Sequence, residues 1–251
     1  MSWYYYRNAR EEKASVLREI AKRRKKGEPF VAVQGASARG VPASSFWGQA
    51  WCHNLEAYSD YESRLPRGRS YLRGGNVYDL EISEGYIFAY VAGSGLYEVE
   101  VTVAPVAVAR WRKLKKALAG EVGNLVDLLG GKLGPGVMEA VTDPKGGLFP
   151  NPREIQINCS CPDWAGLCKH AAAVLYGIGL RFDSSPDLLF TLRGIDAGEL
   201  VAAAGKGAAA LARAGTGAGG ADAVLKADEL SELFGIDLGD PEAAFAVVDG
   251  S

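Results

Sequence analysis

Two hydrophobic periods alternate along this chain. Over Arg10–Lys26, Ala14, Leu17, Ile20 and Ala21 recur on one helical face, and the stretch ends in five consecutive basic residues, Lys22–Lys26. That pattern predicts an amphipathic helix. Phe30–Val33 reads as a short strand before a loop punctuated by Gly35, Gly40 and Pro42. Phe46–Tyr61 places Trp47, Trp51, Leu55 and Tyr58 at helical spacing. This predicts a second helix, with the aromatics read as core and not as a binding platform. Asn76–Ile82, Tyr86–Val91 and Leu96–Val103 are β-rich and partly alternating, with turns at Glu84-Gly85 and Gly93-Ser94-Gly95. They predict a β-meander.

Pro105 can open a helix. The residues up to Ala119 carry Trp111, Leu114 and Leu118 on one side and Arg110, Arg112, Lys113, Lys115 and Lys116 elsewhere. Short helices are expected over Glu121–Leu129 and near Val137–Val141. Gly146, Gly147, Pro150 and Pro152 then mark a boundary. Beyond it, Glu154–Asn158 alternates like a strand, and Ala171–Leu180 is an apolar run that reads as a helix. Residues 201–220 contain 15 Ala or Gly, which predicts a flexible or weakly helical linker, and Asp228–Phe234 reads as a short capped helix. No internal repeat is visible.

The fold class is therefore α+β. An N-terminal helix, a β-meander and short helices precede a small strand–turn–helix unit and an Ala/Gly-rich acidic tail. The expected divisions are 1–150, 151–182 and 183–251. The middle piece is too short to bury much core alone, so a body continuous with the first is expected. Composition agrees with a folded chain. Of 251 residues, 48% are hydrophobic and 23% charged, which excludes disorder throughout. The longest uncharged apolar stretch, His170–Leu180, is well short of the roughly 18–20 residues of a membrane span. The opening Met-Ser-Trp-Tyr-Tyr-Tyr-Arg lacks a signal-peptide pattern, so a soluble, cytoplasmic protein is expected. The net charge of −2 hides an asymmetry. Residues 183–251 hold four Lys or Arg against twelve Asp or Glu, so the preceding part is basic. A basic body with an acidic tail fits contact with a polyanion, although acidic tails also serve solubility alone.

The chemistry concentrates in twelve residues. Of four Cys and two His, Cys159, Cys161, Cys168 and His170 fall together with spacing C-x-C-x6-C-x-H. In a reducing compartment this clustering points to metal and not to disulfides. Three thiolates and an imidazole suit tetrahedral Zn²⁺. In extended chain, residues two apart face the same side, so Cys159 and Cys161 can share one ion. Pro162-Asp163 turns the chain, and Cys168 and His170 enter from the first turn of the following helix. With all four positions supplied by protein, the site is expected to be structural. Lys169 lies between two ligands, where it can offset the negative charge of the site.

This motif resembles the SWIM zinc finger. The resemblance continues through Leu148-Phe149-Pro150, Cys159-Ser160-Cys161-Pro162-Asp163-Trp164-Ala165, the run from Cys168 to Tyr176, and Leu189–Gly194. Phe46-Trp47-Gly48 with Trp51, Arg64–Tyr71 and Gly93-Ser94 are similar to the N-terminal half of bacterial SWIM-domain proteins, so it spans roughly residues 46–195. The resemblance implies a nucleic-acid or protein interaction module. It also implies association with Swi/Snf-type helicase-like ATPases, and it assigns no catalytic residue.

Two functional readings follow. In the first, a non-enzymatic zinc-binding adaptor contacts nucleic acid, DNA ahead of RNA, and works with such an ATPase. Arg64, Arg67, Arg69, Arg73 and Lys169 grip phosphates, and Tyr61 and Tyr71 are available to stack on bases. In the second, the protein is a protein–protein scaffold that never touches nucleic acid, and the Arg-rich segment, read as a loop, pairs with acids of a partner. The basic runs Lys22–Lys26 and Arg110–Lys116 are read as solvated helix faces. Cys52 and His53 are read as structural. No phosphate-binding G-x-x-x-x-G-K-[ST], no G-x-S-x-G and no zinc-deaminase pattern is present, so no enzyme is expected.

Overall fold

The computed structural model describes residues 9–58, 63–118, 125–132, 134–163, 165–199 and 202. All of them belong to one compact unit, residues 1–210; a second unit, 211–251, lies outside the described residues. So do the expected helix at Asp228–Phe234 and nearly all of the Ala/Gly-rich stretch.

Four antiparallel strands form a sheet in chain order: β1 (Val77–Ser83), β2 (Tyr86–Ala92), β3 (Leu96–Val103) and β4 (Ile155–Cys159). The first three are the expected meander. The fourth arrives after a long excursion and pairs with β3, Val101 opposite Ile157 and Val99 opposite Cys159. One face of this sheet is apolar, with Ile87, Ala89, Val91, Val99, Val101 and Val103 all buried. Against it lies α7 (Lys169–Ser184), of whose sixteen residues twelve are buried. A helix that is apolar on all sides needs neighbours on all sides. Two more helices supply them.

The first is α2 (Phe46–Glu56). Ser45 caps it by accepting from the Gly48 N–H, and Trp47, Trp51, Cys52 and Leu55 are buried. The indole N–H groups of Trp47 and Trp51 donate to the Leu128 and Leu175 carbonyls, so these rings are core, as their spacing implied. The helix stops at Glu56, short of the expected Tyr61; residues 59–62 lie outside the described residues. Tyr58 turns back so that its hydroxyl donates to the Pro150 carbonyl at 2.8 Å.

The second is α3 (Leu65–Arg73). This corrects the reading of the Arg-rich segment as a loop. Leu65, Gly68 and Leu72 form one buried face at spacing i, i+3, i+7, and Pro66 sits in the first turn, where its missing N–H costs nothing. A Cβ on Gly68 would lie 2.5 Å from that of Ala172, so the two helices touch through small residues.

Helix α1 (Ala9–Lys25) lies over the opposite sheet face. Glu11 and Glu12 at its start and Lys22–Lys25 at its end complement its dipole. Its buried positions are Val16 and Ile20, packed with Phe30, Tyr78 and Ala92. Leu17 is 46% exposed, so the buried stripe is rotated from the expected one. The strand expected at Phe30–Val33 reduces to a single bridge, Ala32 to Tyr78, because Phe30 takes a positive φ of 42°.

The remaining α-helices among the described residues are short: α4 (Val108–Ala117), α5 (Leu125–Leu129), α6 (Pro135–Thr142) and α8 (Asp187–Leu192). α4 starts three residues after Pro105. The sequence divisions run through packed structure. β3–β4 pairing crosses the one at 150/151, and α7 crosses the one at 182/183. Leu189, Phe190 and Leu192 are buried, so residues 183–199 begin in the core and not in a tail. Among the described residues, no helix is long and apolar enough to cross a membrane.

One ionic cluster ties this late segment to the sheet. Arg193, fully buried, donates to the Ala104 carbonyl at 2.5 Å and to Glu154 at 3.0 Å, and Glu154 also pairs with Arg110. Burial opposes ionisation of Glu154, but the Asn151 amide, Arg193 and Arg110 outweigh it and hold the carboxyl below its usual range. A depressed carboxyl contributes stability above its unfolded value and loses it as pH falls through the folded one. Glu154→Gln strands a buried guanidinium and is expected to destabilise the fold by about 3 kcal/mol in urea unfolding at neutral pH. That difference from the wild type should begin to shrink as pH falls below the unfolded carboxyl value of about 4.3 and should vanish only once the folded Glu154, held lower, is protonated too.

Candidate metal centre

The sheet and α7 meet at the cysteine cluster. β4 presents Cys159 on the same sheet face as Val99, the face that α7 covers. The ladder runs one residue further. The Ser160 N–H donates to the Glu98 carbonyl, and the Glu98 N–H donates to the Ser160 hydroxyl. This extended backbone returns Cys161 to the side of Cys159. The chain then turns at Pro162-Asp163 and re-enters at Cys168, which is the N-cap of α7 and accepts from the Ala171 N–H at 3.3 Å. His170 follows in the first turn. One donor atom from each of Cys159, Cys161, Cys168 and His170 lies within 4.8 Å of all the others.

The electrostatics of the cluster suit a cation. Hydrogen bonding from Cys159 outweighs burial and, with His170 and the Ala171 amide, draws the Cys168 thiol far below its ordinary value. Cys159, which donates to Cys168 and is partly buried, is pushed up. Cys52 shows the contrast: it lies alone in the core, and burial raises its thiol to about 12.

The imidazole gives a direct test of fit. His170 is 4% exposed, and its Nε2 has no hydrogen-bond partner; Nδ1 has only the Cys168 sulfur at 4.0 Å. A buried imidazole without a full-strength hydrogen bond is costly unless something else engages it. A metal shared with the three sulfurs does so, and the Cys3His set fits zinc. The ring is held by Tyr71 and Tyr97, at centroid distances of 5.3 and 4.5 Å. Nε2 lies against Gly93, where an added Cβ would come within 2.8 Å of it. Sequence alone marked Gly93 as a turn residue; only the fold places it against a ligand.

The candidate phosphate contacts separate into two groups. Arg64 pairs with Asp163 at 3.4 Å, tying the start of α3 to the turn between the ligand pairs. Arg69 pairs with Glu56 at 2.5 Å and lies 5.6 Å from the Tyr176 ring centre. Arg73 donates to the Ser37 and Gly40 carbonyls at 2.7 and 2.5 Å. These three are engaged within the protein and do not form one open basic face with the others. Arg67 is exposed. Together with Pro66, Ser70, Tyr71 and Lys169 it lines a shallow groove beside the cluster, with the Lys169 Nζ 5.0 Å from the Tyr71 ring centre. His53 is exposed on α2 and takes no part in the cluster.

Cys168→Ala and His170→Ala are each expected to abolish stoichiometric zinc, measured by elemental analysis of the purified protein, because binding is coupled to folding of the ligand loop. Gly93→Ala leaves all four donors but crowds the imidazole, and is expected to weaken zinc affinity about 10–100-fold in chelator competition. Full zinc content in both ligand variants would show the assignment to be wrong.

Comparison with known proteins agrees with this geometry. An uncharacterized protein of Mycobacterium tuberculosis (strain ATCC 25618 / H37Rv), Rv2102, is 32% identical over 173 residues, which is 68% of this chain and 62% of the relative. The chain therefore spans about three fifths of the length of the curated relative it matches. No solved structure matches it. Residues 141–177 match the SWIM zinc finger family, and that stretch contains all four clustered donors. The chain thus carries a SWIM zinc finger, with Cys159, Cys161, Cys168 and His170 positioned to bind the metal.

Proposed function

We propose that this protein is a non-enzymatic, cytoplasmic adaptor that binds nucleic acid, DNA first, beside its zinc finger and works with a separate Swi/Snf-type helicase-like ATPase. The observation that carries the nucleic-acid part is the groove where Arg67 and Lys169 flank Tyr71, next to the metal ligands. Lys13 lines the adjoining hollow with Lys169 and Ser94, alongside Glu12. Such cations contact phosphate without reading sequence, and a nearby aromatic ring gives a base a surface to meet. Zinc closed by four protein donors shapes this surface and leaves no ligand position for a reaction. The ATPase partnership rests on the resemblance of residues 46–195 to bacterial SWIM-domain proteins.

A second reading has its own support. Arg64, Arg69 and Arg73 find partners inside the protein, which reduces the open phosphate-binding set and favours a scaffold that docks a protein. Fluorescence anisotropy with short DNA and RNA duplexes and single strands, over a salt series, separates the two. The adaptor predicts binding whose log–log salt slope shrinks by roughly 2 in an Arg67→Ala, Lys169→Ala double variant with unchanged zinc content. Absence of binding at low salt with zinc in place overturns it in favour of the scaffold.

A further inference from the structure

The sheet face opposite α7 has a charge of its own. The four strands contain Asp79, Glu81, Glu98 and Glu100 and no Lys or Arg. This holds although the chain up to residue 182 carries more basic than acidic residues. Strand pairing fixes which of these share a face, because directly opposed residues project to the same side. Phe88 on β2 stands opposite Glu81 on β1 and Glu100 on β3, so the ring is flanked by a carboxylate on each side. In the neighbouring rows, Tyr90 stands opposite Glu98, and Tyr86 opposite Thr102. Tyr86 is 40% exposed, and its hydroxyl donates to Glu100 at 2.9 Å. Among the described residues, none of Glu81, Glu98 and Glu100 is in an ion pair.

The protein itself shows what chemistry this face accepts. Where α1 covers the far end, its Arg23 guanidinium lies 5.5 Å from the ring centres of both Tyr90 and Phe30. Phe88, half-buried, adjoins Tyr90 edge-on at 5.0 Å and continues the aromatic row along β2 toward the exposed Tyr86. Among the described residues, the rows beyond Arg23 thus repeat its surroundings, with rings and carboxylates together but no cation paired to them.

We propose that this open sheet face is a docking surface for an arginine-rich segment of a partner protein, whose guanidinium groups stack on Phe88 and Tyr86 and pair with Glu81, Glu98 and Glu100. Charge complementarity names the occupant. The carboxylates repel phosphate, and the planar guanidinium both stacks on rings and forks onto carboxylates, which an ammonium cannot do. The surface is separate from the groove beside the zinc, and the proposal does not depend on nucleic-acid binding there.

The test uses the full zinc-loaded chain and fluorescein-labelled nona-arginine in anisotropy titrations at moderate salt. The expected result is binding that weakens about tenfold or more in Glu81→Lys, Glu100→Lys and about threefold in Phe88→Leu, with unchanged zinc content and melting temperature. A control with the same change in net charge elsewhere, Glu139→Lys, Asp187→Lys, is expected to stay within about twofold, and nona-lysine to bind clearly more weakly than nona-arginine. Equal losses in the two double variants would assign the binding to net charge and overturn the proposal. Absence of nona-arginine binding, or nona-lysine binding as tight, would overturn it as well.

Discussion

A helix that is apolar on every side must be covered on every side, and the fold is arranged around meeting that demand for α7. The sheet covers one flank, while α2 and α3 cover others. Close approach is possible because the contacts use small residues: Gly68 of α3 lies against Ala172, and Gly48 of α2 lies against Gly179. Two glycines inside a helix cost about 1 kcal/mol each relative to alanine. In α7, Gly177 admits the Leu80 side chain and Gly179 admits the Gly48 backbone and the Cys52 side chain, and burial of Tyr176, Ile178 and Phe182 offsets the cost.

The metal site follows from the same arrangement. Cys168 caps α7, so the helix's first turn reaches the end of β4 just where Cys159 and Cys161 project. The centre therefore joins the sheet to the helix that fills the core. It is not the core of a detached finger. Arg64 and Asp163 brace the turn between the ligand pairs, and Tyr71, Tyr97 and Gly93 fix the imidazole. The two sheet faces then differ in chemistry. One carries the metal and the groove with Arg67 and Lys169; the other carries carboxylates, the exposed Tyr86 and the half-buried Phe88.

Much of this was legible in the sequence where the signal is local. The period of two at Cys159 and Cys161 gave the shared side of the ligands, and the unbroken apolar run gave a buried helix. Trp47 and Trp51 at helical spacing gave core residues. Local signals failed where charge hid a period. In α3 the arginines obscured the i, i+3, i+7 positions Leu65, Gly68 and Leu72, so a helix looked like a loop. In α1 the stripe shifted because Phe30, in the loop after the helix, and Tyr78, distant in sequence, pack with Val16 and Ile20. The partners of Arg64, Arg69 and Arg73 are all long-range or loop carbonyls, and no spacing rule reaches them. The same holds for Gly93 against His170, and for the pairing that sets Phe88 between Glu81 and Glu100.

The central claim is that the metal centre and the α7 core are one cooperative unit. Hydrogen exchange followed by mass spectrometry, on zinc-loaded and chelated protein, tests it most directly. The account predicts that removing zinc lowers protection along α7 and in the paired β3 and β4, as well as in the ligand loop. Loss of protection confined to residues 159–168, with α7 unchanged, would contradict it.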